Sequence, residues 1–247
     1  MAKNRQRRQI VALMIAGLGC WYPSEVHAGP FSRPSATATS QPAAPLAPPG
    51  VWLPVDWAQL HDAVRLQLTK PLTQPTIQAS SGQEEFPAKP ELYAWLLDHP
   101  DRVSQAWPRM GIPCVEIQAK ADGSFHWSDP NGSELSWRQV AATSAGRIWY
   151  AEGRYRPAAL MPLISVKAVA VMHHRSRTMP DGTPRIQHAV DIYLSTDSRA
   201  ANLLSRMLGP AAPRLAQDGA KQLLFFFAGI AERVSLDHKT ARTLLSP

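Results

Sequence analysis

Cysteine is nearly missing: Cys20 and Cys114 are the two in 247 residues. If the N-terminal segment is removed on export, one remains, which excludes an intramolecular disulfide framework, so stability has to come from a buried core. Membrane-length apolar runs are missing too. Ile10 to Leu18 follows the basic head Lys3, Arg5, Arg7 and Arg8 and is far shorter than the roughly 20 residues a spanning helix requires. Val26-His27-Ala28 resembles a small-x-small cleavage site, so residues 1–28 read as an export signal cut before Gly29, with an uncleaved anchor as the alternative. Gly17 stands where a lipobox needs an aliphatic residue, which argues against lipidation at Cys20. Acidic residues are few, yet the basic excess belongs largely to the signal. Cleavage removes four basic residues and Glu25, taking the balance from 26 minus 19 to 22 minus 18, a mature charge of +4. That gives nucleic-acid binding little support and leaves a weak attraction to anionic membrane surfaces.

What is present is a chain that can fold around a core. Residues 29–50 are dominated by Pro, Ala, Ser and Thr, hold too little apolar volume to offset the entropy of ordering, and read as a tether. Residues 51–70 carry Trp57, Leu60, Val64 and Leu68 at helical spacing behind Asp56 as cap. This predicts an amphipathic helix docked on the main domain; a membrane-surface helix is the alternative, but the polar face is not strongly basic. Residues 71–87 return to polar linker, with a short strand at Thr76 to Ala79. Residues 88–236 form the main domain and 237–247 a tail. The 160 residues after Pro87 are enough for one core, since a domain of that size buries about 70% of its unfolded surface.

Pro90 suits a first helical turn, and Leu92, Tyr93, Trp95, Leu96 and Leu97 make an apolar face. Asp98-His99-Pro100 breaks that helix, and Asp101 to Met110 makes a second one before Gly111. Alternating segments then follow at Val115 to Gln118, Phe125 to Ser128, Glu134 to Arg138, Ile148 to Tyr155 and Leu163 to His174, with turn signals at Asp122-Gly123, Asn131-Gly132 and Asp181-Gly182. The last strand opens the stretch IQHAVDIYLSTDSRAANLLSRMLGP: Ile186, His188, Val190, Ile192 and Leu194 point one way and Gln187, Asp191 and Tyr193 the other. One buried face and one largely wet face are expected. Six strands in meander order argue for an antiparallel sheet. Ser195, Thr196 or Asp197 caps the next helix, Gly209 and Pro210 interrupt it, and beyond Pro213 it resumes with the stripe Ala216, Ala220, Leu223, Phe227, Ile230 and Val234. The apolar sheet face is the matching surface for that stripe. The expected fold is α+β, an antiparallel curved sheet wrapped around a long C-terminal helix, with two short helices after the first strand.

The helix pair ELYAWLLDHPDRVSQAWPRM, the strand meander and the closing helix resemble the helix-grip fold of the START-like, or polyketide cyclase-like (SRPBCC), superfamily, and also uncharacterised secreted bacterial proteins. Trp95, Leu96 and Asp98 correspond to a pattern in the first helix and Trp107 to a Trp in the second. The likeness runs from Thr76 to Val234. It departs at the first strand, interrupted by Ser80, Ser81 and Gly82, and at the break from Gly209 to Pro213. What the resemblance implies is a ligand cavity between sheet and helix; it carries no activity over.

For each chemically capable side chain, packing is the competing role. A two-residue turn at Asp181-Gly182 sets His188 opposite Arg175 and His173 opposite Val190, with both histidines on one face. Zinc needs three or four ligands, and no Cys, Asp or Glu completes the set at a recognisable spacing. No G-x-S-x-G elbow is present, and Cys114 follows Pro113 with no identifiable base, as a buried structural thiol would. Glu116, Glu134, Glu152 and Asp191 read as an outer charged face, and Asn131-Gly132-Ser133 as a hairpin turn. Phe125, Trp127, Leu135, Trp137 and Trp149 fall on apolar strand faces, where they either fill the core or line a pocket of about 300 to 1,000 Å³. Phe225, Phe226 and Phe227 cannot all face one sheet, so at least one contacts the Asp56 helix, a partner chain or a membrane.

The expected ligand-binding set is Trp127, Trp137, Trp149, His173, His188, Val190, Ile192 and Phe227, with no catalytic residue, metal or cofactor assigned. The expected protein is secreted or periplasmic and non-catalytic. Its partner is a hydrophobic small molecule or lipid, with peripheral membrane contact as a lesser route and no nucleic acid. A cell-envelope interaction domain with a filled core is the alternative, and a cyclase or hydrolase using His173, His188 or Tyr193 a distant third.

Overall fold

The computed structural model describes residues 51–156, 161–197, 201–202, 209–236 and 243–245. The expected signal and tether, most of the tail and most of the helix after Asp197 lie outside them. Along the chain run α1 (Asp62–Thr73), β1 (Ile77–Ser80), β2 (Glu84–Pro87), α2 (Pro90–Asp98) and α3 (Pro100–Arg109). Then come β3 (Gln118–Ala119), β4 (Phe125–Ser128), β5 (Glu134–Thr143), β6 (Gly146–Tyr155), β7 (Ile164–Thr178), β8 (Pro184–Thr196) and α4 (Ala212–Leu236).

The eight strands form one antiparallel sheet in the order β1-β8-β7-β6-β5-β4-β3, with β2 also on β8. The curved sheet holds α4 on one face, in the helix-grip arrangement. The interruption expected at Ser80 to Gly82 divides the first strand into β1 and β2. At Ser81 the backbone N–H donates to Val190 O at 3.0 Å, while the Ser81 hydroxyl accepts the Val190 N–H at 3.0 Å. A side chain replaces one rung of the ladder, Gly82 turns the backbone at φ +78°, and β2 resumes pairing at Glu84 opposite His188.

The hairpin between β7 and β8 corrects the expected register by one residue. Met179 N donates to Thr183 O and Gly182 N to Met179 O, both at 2.9 Å, so the loop has three residues closed by Gly182 at φ +80°. A left-handed residue in that place makes a three-residue loop with a bulge, where the dipeptide suggested two. The strand pairs accordingly set His174 opposite His188 and His173 opposite Ala189. His173 and His188 therefore lie on opposite faces of the sheet.

The expected wet face is also half covered. Trp57, Leu60, Leu68 and Leu72 pack with Ile148, Tyr150, Val169, Val171 and Tyr193 into a second core on the side away from α4. The single helix expected from Asp56 is split: Asp56 caps a 3-10 turn, Trp57–Gln59, and His61 caps α1 through its Nδ1, which accepts the Ala63 N–H at 3.3 Å. β8 shows the result in its own burial, which alternates up to Ile192 and then is continuous through Ser195, where both faces are covered.

On the α4 side, Pro213 sits in the first helical turn, where its missing N–H costs nothing. Phe226 and Phe227 are buried, while Phe225 is partly exposed and packs on Trp107 of α3 at 5.3 Å between ring centroids. The third aromatic thus meets α3 rather than the Asp56 helix, which lies across the sheet.

Candidate functional site

Seven of the eight expected ligand-binding residues share the α4 side, and six of them, Trp127, Trp137, Trp149, Val190, Ile192 and Phe227, are in the main core cluster. They pack on one another, Trp149 stacking on Phe227 at 5.7 Å. Trp127 Nε1 is buried there with no hydrogen-bond partner.

His188, on the same side, has a side chain fully out of solvent. Tyr93 of α2 reaches it, phenol oxygen to Nδ1, at 2.6 Å. Burial pushes the Tyr93 phenol well above its ordinary range, so the phenol keeps its proton and donates to Nδ1. The His188 proton is then on Nε2, 3.9 Å from Glu84 Oε2 at the surface, a charge-pair distance rather than a hydrogen bond. Burial lowers the His188 pKa, with Glu84 opposing it, and the ring is neutral at pH 7. Phe86 and Met172 close the site, Met172 Sδ lying 3.8 Å from the Tyr93 oxygen. His188 is a hydrogen-bonded core residue that ties α2 to the sheet.

His173 and Tyr193 sit on the far face. His173 Nε2 is 3.2 Å from Asp191 Oδ2, and the Trp52 ring lies over it at 4.4 Å. Burial raises the Asp191 carboxyl, but hydrogen bonds from His173 and Ser80 outweigh it and hold the carboxyl below its usual range. Burial first and the Asp191 charge second push Tyr193 up to about 12. The sheet therefore separates His188 from His173 and Tyr193. Two of the other carboxylates have partners of their own: Glu134 pairs with Arg154 at 2.6 Å, and Glu152 accepts the Tyr150 hydroxyl at 2.9 Å. Among the described residues no group of three His, Cys, Asp or Glu could hold a metal ion, and no helix is long and apolar enough to cross a membrane.

Sequence reasoning did not find the open cleft of about 460 Å³ where α2 crosses one end of the sheet. Pro90, Glu91 and Ala94 of α2 form one wall; Ala142, Thr143 and Ser144 at the end of β5, with Arg147 of β6, form another. His174 and Ser176 of β7 and Ile186 of β8 complete it. The space exists because β6 stops pairing at Gly146 opposite His173, while β7 and β8 continue as a two-stranded ribbon to Thr178 and Pro184.

Arg147 is the cleft's structural centre. Its Nε and Nη2 donate to the two Asp98 carboxylate oxygens at 2.8 and 3.2 Å, and its Nη1 donates to Thr143 O and Gly146 O at 2.7 and 3.2 Å. A bidentate pair of this kind holds geometry as well as charge. It clasps the end of α2 to β6, which gives Asp98, a residue of the resemblance pattern, a physical role. Beside it, burial first, then Arg147 and His188, lower His174 to about 4, so that ring is neutral at pH 7. The missed signal was Arg147: nothing local distinguishes it from the other arginines on strands.

No family model matches the chain, and no curated protein does. Solved structures give low-scoring matches. A conserved protein from Geobacillus kaustophilus is 13% identical with a TM-score of 0.39, over 62% of this chain and 96% of that one. Ara h 8.0201 is 15% identical at TM-score 0.40, over 65% and 97%. The di-domain ARO/CYC BexL from the BE-7585A biosynthetic pathway is 14% identical at TM-score 0.30, over 75% of this chain and 55% of that one. Likeness at these scores carries no argument about function.

Proposed function

We propose that this protein is a non-catalytic carrier or sensor of a small, mainly apolar molecule, working outside the cytoplasm. The observation that carries the reading is the cleft of about 460 Å³ between α2 and the sheet, within the size range of small-molecule sites. Pro90, Ala94 and Ala142 offer it apolar surface above the buried Ile186, while hydroxyls at Thr143, Ser144 and Ser176 offer orientation. The aromatic set Trp127, Trp137, Trp149 and Phe227 lies elsewhere in the α4 core and lines none of this cleft.

Native mass spectrometry of the protein purified from its producing cells tests the reading, and the same intact mass shows whether residues 1–28 have been removed. A discrete extra mass that is lost on denaturation is expected. A clean apo mass after exposure to the cells' own lipid extract would sink ligand carriage in favour of an envelope interaction domain.

A further inference from the structure

We infer that the cleft selects an uncharged ligand, an apolar body bearing hydroxyl or carbonyl groups, and rejects carboxylates, sulfonates and phosphates. The inference rests on the cleft being the binding site and adds the chemistry of what it admits. Two of its lining residues carry a formal charge, Arg147 and Glu91. Arg147 is already neutralised, with Asp98 taking it bidentately and two backbone carbonyls accepting from Nη1. An incoming anion would have to displace Asp98 from a guanidinium whose side chain is 8% exposed, leaving Asp98 without its partner. Glu91, exposed on the rim, adds a negative charge at the mouth. His174 supplies no compensating cation, being neutral at pH 7. For a neutral ligand none of these penalties applies, because hydroxyls can give or take a hydrogen bond without a buried charge.

Two fluorescent probes that share an aromatic body and differ by one sulfonate make the test: phenylnaphthylamine and anilinonaphthalene sulfonate, titrated into the full chain at pH 7.5. The neutral probe should bind at least about tenfold tighter, and Ala94→Trp, which puts an indole ring into the cleft, should weaken its binding at least about tenfold. Asp98→Asn leaves the Arg147 charge uncompensated and should improve sulfonate binding at least about fivefold, the effect of one unit charge at contact in water. Circular dichroism checks that this variant folds. Glu91→Gln, on the exposed rim, should move sulfonate binding in the same direction without touching the clasp.

Sulfonate binding as tight as the neutral probe's, and blocked by Ala94→Trp, would overturn charge selection while leaving cleft binding intact. Neutral-probe binding untouched by Ala94→Trp would overturn the cleft as the site. Failure of both probes would overturn this inference, while carriage itself is judged separately by the native mass.

Discussion

Gly229 and Trp107 show how a single position is decided. A Cβ built on Gly229 would lie 2.6 Å from the Trp107 ring, and that ring is itself fixed, 2% exposed with its Nε1–H donating to Phe226 O at 3.1 Å. Helix propensity alone favours Ala over Gly by about 1 kcal/mol. Overpacking against a ring that cannot move costs about 1 to 3 kcal/mol. The second effect is the larger, so Gly229→Ala should lower the urea midpoint. A raised midpoint would show that α3 can shift to make room. Asp98 has the same kind of specificity: its short reach suits the bidentate contact to Arg147, so its place in the helix pattern follows from geometry rather than from chemistry on a substrate.

At the scale of elements, the sheet is stabilised from both faces. α1 contributes Leu68, which is fully buried, to the second core against Val169, Val171 and Tyr193. Truncating such a side chain costs roughly 2 to 5 kcal/mol, and Leu68→Ala should lose stability in that range by chemical denaturation. No change would revive the reading of residues 51–70 as a membrane-surface helix. The β7–β8 hairpin carries the other lesson. A three-residue loop in place of a two-residue one moves every partner by one step, and in a strand one step changes which cross-strand neighbour a histidine meets.

For the whole molecule, acid is the expected weakness. His174, at about 4, and His188 are both lowered by burial, so the folded protein binds fewer protons than the unfolded chain, whose histidines titrate near 6.5. Their contribution is fully present above about pH 6.5 and is lost as pH falls toward the folded values. Stability should drop over this window by up to about 1.4 kcal/mol per pH unit for each histidine. Urea titrations from pH 7.5 to 4.5 measure the slope, and His174→Leu should flatten it. A slope that His174→Leu leaves unchanged would place the acid sensitivity elsewhere.

Sequence alone determined what depends on local periodicity and local chain chemistry. It showed an apolar side for most strands, that the strands form an antiparallel meander, that a long striped helix closes against them, and where the turns fall. A side chain's direction along a strand or helix follows from its own backbone, so periodicity is enough to put Trp127, Trp137, Trp149, Val190, Ile192 and Phe227 on apolar faces, and these faces meet in one core. Only the tertiary structure decided what depends on how distant segments close on one another. It set the register that parts His173 from His188, the two-piece first strand on β8, the side of the sheet that α1 covers, and the Asp98–Arg147 clasp. The cleft belongs with these, since its walls come from α2, β5, β6, β7 and β8. Its shape follows from where β6 stops pairing, a relation between strands that no stretch of sequence contains.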